Sequence, residues 1–306
     1  MKEPGRVTIS LDFEAGWGVI GNGRWQKREA DGVYDALRPV LRRFVSHLEA
    51  TGISCVWAVV GGMVEGPAER DISHLKGQYR AKAEHFLSTA QPNTRDGRDL
   101  LETVLAARCP QLFGTHGYSH VLFTDVEQDD AVISGELERA RAANARYGLS
   151  SNFLVFPENR FGAFDVVHRA GISVARMPAF GGQAESGRRN IVQRALTAAL
   201  RPPSPVVETS DASGLCLHHG TELLNWGVDS GQAKTWLTKR RIERALAMAC
   251  GGAHVHFWLH PFNLAETRGL LSYVEDLLVR LALWRDAGKI AIGGAELIHR
   301  DSLHPR

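Results

Sequence analysis

No apolar run in this sequence approaches the roughly 20 residues needed to span a bilayer, and no internal repeat or clear linker divides it. A membrane span is therefore not expected. The four cysteines, Cys55, Cys109, Cys216 and Cys250, lie far apart with no C-x-x-C pair, which argues against a thiolate zinc site and a dense disulfide framework. Charge of neither sign dominates: 36 Lys and Arg face 34 Asp and Glu, too even a balance for a general affinity for nucleic acid. The opening "MKEPGRVTISLDF" leads almost directly into a strand pattern without the apolar segment and cleavage site of a secretory leader, so a cytoplasmic location is expected. What remains is a chain with 44% hydrophobic and 23% charged residues, the composition of a globular protein with a large core. Its 306 residues fit one large α/β domain.

Strand-like and helix-like segments alternate along the whole chain, the pattern of a parallel sheet with crossover helices. "RVTISLDF" reads as the first strand; "SCVWAVV", "LFGT", "NFLVF", "ISVAR", "LCLHH", "AHVHFWL" and "KIAIGG" follow. Between the first two, Val33, Leu37, Val40, Leu41, Phe44 and Leu48 recur at helical spacing, with a glycine stop in "ATGI". Residues 62–98 and 179–212 are the least regular, carrying "QPNTRDG" and "GGQAESGRRN", and are expected to be loop insertions over the scaffold.

Two stretches carry unusual chemistry. In "SLDFEAGWG", Asp12 and Glu14 share one face at the end of an apolar strand, because residues two apart in a strand point the same way, while Phe13 packs opposite. In "FGTHGYSH", His116 and His120 follow another strand at the i, i+4 spacing that a helical turn brings onto one face. His260 in "WLHPFN" follows a third strand. Any one histidine among 13 is ordinarily structural. The joint pattern of carboxylates and histidines at three strand ends points instead to a catalytic divalent metal, held by two histidines and a carboxylate with a position left open.

At these residues the sequence resembles the polysaccharide deacetylase family, the NodB-like carbohydrate esterases, in the variant whose first motif reads D-x-E. The resemblance implies a distorted (β/α) barrel of seven to eight strands over nearly the whole chain, 1–306. It also implies a catalytic base, Asp12, and one divalent metal, zinc, on Glu14, His116 and His120. From the pair Leu259 and His260 it implies that His260 is the general acid. The family's base-orienting arginine is matched by Arg160 in "VFPENRFG", with Asn159 and Glu158 as other polar candidates, and Asp229 is the candidate acidic partner of His260.

The implied reaction is hydrolysis of an N-acyl group, acetyl in the simplest case, from an amino sugar or glycan precursor. The ion polarises the acyl oxygen and acidifies water, Asp12 takes a proton from that water, and His260 protonates the leaving nitrogen. A backbone N–H near Tyr118 is expected to help hold the oxyanion. Trp17, Trp25, Tyr118, Trp226 and Trp258 are candidate sugar-stacking rings. His218 and His219 are read as structural, Arg176 as lying behind the site, and His254 and His256 as sharing the face of His260. Two alternatives stand beside this reading: an amidohydrolase of the same fold acting on a non-sugar amide, and a carbohydrate-binding homologue without turnover.

Overall fold

The structure, a computed structural model, describes residues 3–125, 128–178 and 202–298. Among them are nine strands: β1 (Gly5–Phe13), β2 (Val56–Val59), β3 (Leu112–Thr115), β4 (Phe153–Val155), β5 (Val174–Pro178), β6 (Val207–Ser210), β7 (Cys216–Leu223), β8 (His254–Leu259) and β9 (Ile290–Ile292). Seven pair in parallel in the order β1, β2, β3, β4, β5, β7, β8, and β8 returns to β1, closing a barrel ringed by helices. Two extra strands decorate it: β9 runs parallel to the start of β1, and β6 runs antiparallel to β7. Among the described residues no helix is long and apolar enough to cross a membrane.

Strands covered on both faces read as apolar runs rather than as alternating patterns, and all four residues of β2 are buried. The surrounding helices bury one stripe. In Val33–Thr51 the stripe is Val33, Leu37, Leu41, Phe44 and Leu48, and the helix stops where Gly52 takes a left-handed φ of 60°. Residues 62–98 are less irregular than the sequence suggests. They contain the helices Gly77–Thr89 and Pro92–Arg95, and Arg70 ties the intervening chain down through Gly62 O, Glu65 O and the Asp96 carboxylate. Only Tyr79, Ala83 and Phe86 of Gly77–Thr89 are buried, too narrow a stripe to stand out in sequence. Of the expected insertion at 179–212, residues 179–201 lie outside the described residues. The rest includes β6, whose four exposed residues carry no strand-like apolar pattern.

The barrel bore is divided. Val56, Ala58, Phe153, Val155, Val174 and Cys216 make one apolar side, sealed by Leu297 and Ile298. Thr8, Ser10, Arg176, His218 and His256 are polar and fully buried, and hydrogen bonds link Ser10 to Arg176 and His256, and His256 to His218. β6 lies between the first halves of β7 and β8: it pairs with β7 from Cys216 to His219, and Val206 N donates to His254 O. Beyond Gly220, β7 instead pairs with β8.

That switch of partner requires Gly220, whose φ is 93° and whose absent Cβ would lie 2.3 Å from Pro205 O. Gly220→Ala should therefore lower stability by about 1–3 kcal/mol. Urea unfolding followed by circular dichroism should show a lower midpoint at unchanged slope; an unchanged midpoint would mean that β6 yields freely.

Candidate metal centre and active site

Asp12, Glu14, His116 and His260 gather at the C-terminal mouth of the barrel, where the loops of such folds carry their chemistry. Ser10 and Asp12 face the bore, while Phe13 packs outward, edge-on to Trp57. Glu14 lies just past β1, where Ala15 takes a positive φ of 43° and Trp17 N closes a turn on Glu14 O. The chain then folds back so closely that a Cβ on Gly18 would lie 1.9 Å from Glu14 Oε1. Only glycine lets the Glu14 carboxylate keep this place.

His116 and His120 converge, but not on a helix. Residues 116–120 form a non-helical turn in which Gly117 and His120 have φ of 79° and 65°. The i, i+4 spacing matters here only as the length of a tight turn. Its organiser is Glu136, a fully buried residue that the sequence reading did not single out. Glu136 accepts hydrogen bonds from Tyr118 N, Ser119 N, Ser119 Oγ and His74 Nε2 at 2.6–2.8 Å. Burial alone would raise its carboxyl, but the His74 and Ser119 contacts outweigh it and hold it below the usual range. Because Tyr118 N–H is committed to Glu136, it is not free to hold an oxyanion.

The buried Glu14, His116 and His120 can each offer a ligand atom within 4.8 Å of the other two. Glu14 Oε2 lies 3.0 Å from His116 Nε2 and 3.1 Å from His120 Nε2. His116 Nδ1 is 2.7 Å from the Val155 carbonyl and so donates to it, which leaves the Nε2 lone pair facing Glu14. This donor set could hold a metal ion. Burial opposes the Glu14 charge, but His260 and His120 beside it hold its carboxyl well below the usual range.

Asp12 is engaged differently. Both its oxygens accept from Arg176, at 2.5 Å from Nη1 and 2.7 Å from Nη2, in a buried bidentate pair. The guanidinium outweighs the burial that would raise the Asp12 carboxyl and lowers it overall. Arg160, the sequence candidate for this role, is exposed and does not line the cavity, so it does not orient Asp12; its neighbours Glu158 and Asn159 do line it. Arg176 was missed as the partner because it reaches Asp12 across the bore from β5, 164 positions away. Sequence spacing carries no trace of such a contact.

His260 Nε2 lies 3.3 Å from Glu14 Oε1 and 3.9 Å from Asp12 Oδ2. Its Nδ1 pairs with Asn263 Oδ1 at 3.1 Å, and Asn263 Nδ2 donates to Glu266, which Arg28 grips bidentately. Phe262 stacks on the His260 ring at 4.8 Å, with the Arg28 guanidinium 4.1 Å above Phe262. Asn263 therefore occupies the partner position for which Asp229 was the candidate; Asp229 lines a separate cavity beside Trp236. The short helix Pro261–Glu266 that starts right after β8 produces this pairing, since His260 caps its N-terminus and Asn263 is its third residue, with the Asn263 amide oxygen also accepting from His260 N.

The resulting cavity, ≈ 490 Å³, has Asp12, Glu14, His116, His120 and His260 in its wall, with Asn22, Arg24, Arg28, Glu158 and Asn159 around them. Among the described residues, Trp258 and Phe262 are its only aromatic rings besides the histidines. Trp17 is fully buried with its indole N–H on Arg95 O, and Tyr118 is buried with its hydroxyl on Glu65, so neither can stack on a ligand. Trp25 is buried against Phe86. Trp226 lines adjoining cavities and packs edge-on to Tyr273. His254 and His256 share the face of Trp258 inside the bore, bonded to Thr8 and Ser10, not to the cavity.

Solved structures share this architecture. A Mycobacterium smegmatis protein provisionally named a polysaccharide deacetylase superposes with a TM-score of 0.59 at 13% identity, covering 100% of this chain and 94% of that one. Puue allantoinase gives 0.58 at 12% identity over 98% and 91% of the two chains. A GH57-type branching enzyme from Pyrococcus horikoshii gives 0.52 at 11% identity over 99% and 71%. The likeness is one of fold. Neither a family model nor a curated protein sequence matches the chain.

The Gly18 contact is directly testable. Gly18→Ala should displace the Glu14 carboxylate and weaken divalent-metal binding by roughly 10- to 100-fold, the range seen when a ligand's support is lost. Calorimetric titration with zinc, compared with the wild-type protein, measures it; equal affinities would mean that Glu14 is not a ligand.

Proposed function

We propose that the protein is a metal-dependent amide hydrolase that removes an N-acyl group, acetyl in the simplest case, from an amino sugar or a glycan precursor in the cytoplasm. The observation that supports this reading is that one cavity is lined by the buried Glu14, His116 and His120, which could hold a metal ion, together with a further carboxylate, Asp12, and a further imidazole, His260. The naming of two fold neighbours as a polysaccharide deacetylase and an allantoinase supports it. Two imidazoles and one carboxylate suit zinc, with further positions open. When bound, such an ion supplies Lewis acidity toward the acyl oxygen and makes water a better nucleophile near neutral pH.

The chain's own residues do the rest. Asp12, kept ionised and in one orientation by Arg176, accepts the proton of the attacking water. His260 acts as the acid in its imidazolium form: Nδ1–H stays on Asn263, and Nε2–H, which faces the cavity, passes to the departing nitrogen. Phe262 and Asn263 together fix the ring plane. Arg176 thus takes the role first assigned to Arg160, and no oxyanion contact is assigned to Tyr118. The whole of 1–306 is proposed to serve one domain of this kind.

The second reading, a non-sugar amide as substrate, draws on the cavity lining. Trp17 and Tyr118 are buried in the body of the fold, and the cavity instead presents Asn22, Arg24, Arg28 and Asn159, groups suited to a compact polar substrate. A binding protein without turnover is the weaker idea, because both proton-transfer groups are present.

Short N-acetylglucosamine oligomers and small N-acetylated amines, incubated with zinc-loaded protein and assayed for acetate, separate the substrate readings. Asp12→Asn should keep its metal and lose roughly 10²- to 10⁴-fold in kcat, the usual contribution of a general base. A double variant, His116→Ala with His120→Ala, should purify without metal. Metal content equal to wild type in the double variant would remove the site assignment, and loss of metal in Asp12→Asn would mean that Asp12 is itself a ligand.

A further inference from the structure

A line of hydrogen bonds runs through the polar side of the bore and ends on the Arg176 guanidinium. Glu208 Oε1 on β6 lies 3.2 Å from His218 Nδ1, and His218 Nε2 lies 2.9 Å from His256 Nδ1. His256 Nε2 lies 2.8 Å from Ser10 Oγ, and Ser10 Oγ lies 3.0 Å from Arg176 Nη1. Ser10, His218 and His256 are fully buried, while Glu208 is 37% exposed on the β6 side of the barrel.

The chemistry of the end groups sets a direction. Arg176 can only donate, so Ser10 Oγ accepts from it, and the one other partner of the Ser10 hydroxyl among the described residues is His256 Nε2. Ser10 therefore donates to His256, which must carry its proton on Nδ1 and donate to His218 Nε2; His218 in turn donates from Nδ1 to the Glu208 carboxylate. Each of the four bonds along this line then runs from a donor to an acceptor in the same sense, and bonds aligned in this way polarise one another. Burial, with His218 and Arg176 near by, disfavours a charged His256, which suits the single-proton pattern.

Arg176 needs such an anchor. Among the described residues its buried Nε has no hydrogen-bond partner, and its guanidinium is held by Asp12, by Ser10 and by the Trp258 ring 4.6 Å away. We propose that Glu208, His218, His256 and Ser10 are positioning residues: they fix the plane of Arg176, and through it the orientation of the Asp12 carboxylate. This rests on the reading of Asp12 as the base.

Two measurements test it. Nitrogen NMR of wild-type protein labelled on histidine should show His256 and His218 each with one proton, on Nδ1, near neutral pH; an Nε2-protonated His256 would overturn the chain, whatever the activity. Kinetics then separate positioning from packing. His256→Phe and Ser10→Ala, checked for fold and zinc content, should lower kcat on N-acetylglucosamine oligomers by roughly 10- to 100-fold, the scale of a small misplacement of a reacting group. KM should stay near wild type, and His256→Gln and Ser10→Thr should recover part of the loss. A wild-type kcat in folded His256→Phe would sink the proposal. If wild-type protein hydrolyses no amide, the functional reading fails and the NMR alone judges the chain.

Discussion

The bidentate ion pair between Arg176 and Asp12 is the interaction on which the arrangement of the site depends. It joins β5 to β1 across the bore, where both side chains are almost completely buried. Removing two charges from water costs several kcal/mol per ion, and leaving one of them unpaired costs about 3–5 kcal/mol. The pair therefore persists only with good geometry and further partners, which Ser10 supplies on one side. The same pair separates two adjacent acids. Asp12 is clamped by a guanidinium, while Glu14, two residues on, faces three imidazoles.

The mouth of the barrel concentrates unusual backbone. Ala15, His120, Glu158 and Asn159 all have positive φ without being glycine, and Glu14, His116, His120, Glu158 and Asn159 line the cavity. Each such conformation costs about 1–3 kcal/mol and persists where the surroundings over-determine it. At the 116–120 turn the surroundings are the four hydrogen bonds to Glu136. After β1 they are the close approach of Gly18 to the Glu14 carboxylate. Strain and its support are thus both local to the chemistry.

Chains with different names share this barrel at 11–13% identity, so fold alone does not choose among their reactions. The choice lies in the donors at the strand ends and in what orients them. Here His260 is set by Asn263, with Glu266, Arg28 and Phe262 packed behind, and Asp12 by Arg176. Among the described residues, the lining beyond these groups mixes polar side chains with Val19, Leu223 and one aromatic ring, Trp258.

Much of this was legible in the sequence because it is periodic or local. Apolar runs marked the seven barrel strands, since strands covered on both faces admit few polar residues. Strand ends bearing Asp12, Glu14, His116 and His260 marked the mouth, since strand alternation and loop position follow from near neighbours. Other features had no local signature. β6 pairs through backbone groups and exposes its side chains, so no apolar pattern announced it. The 116–120 turn has helical spacing without helical backbone, because Glu136 on a later helix holds its N–H groups. Which arginine reaches Asp12, and which rings face the cavity, was decided by barrel closure. It brings β5 opposite β1 and turns Trp17 and Tyr118 into the body of the fold, because contacts across the bore join residues whose separation along the chain is set by topology and not by pattern.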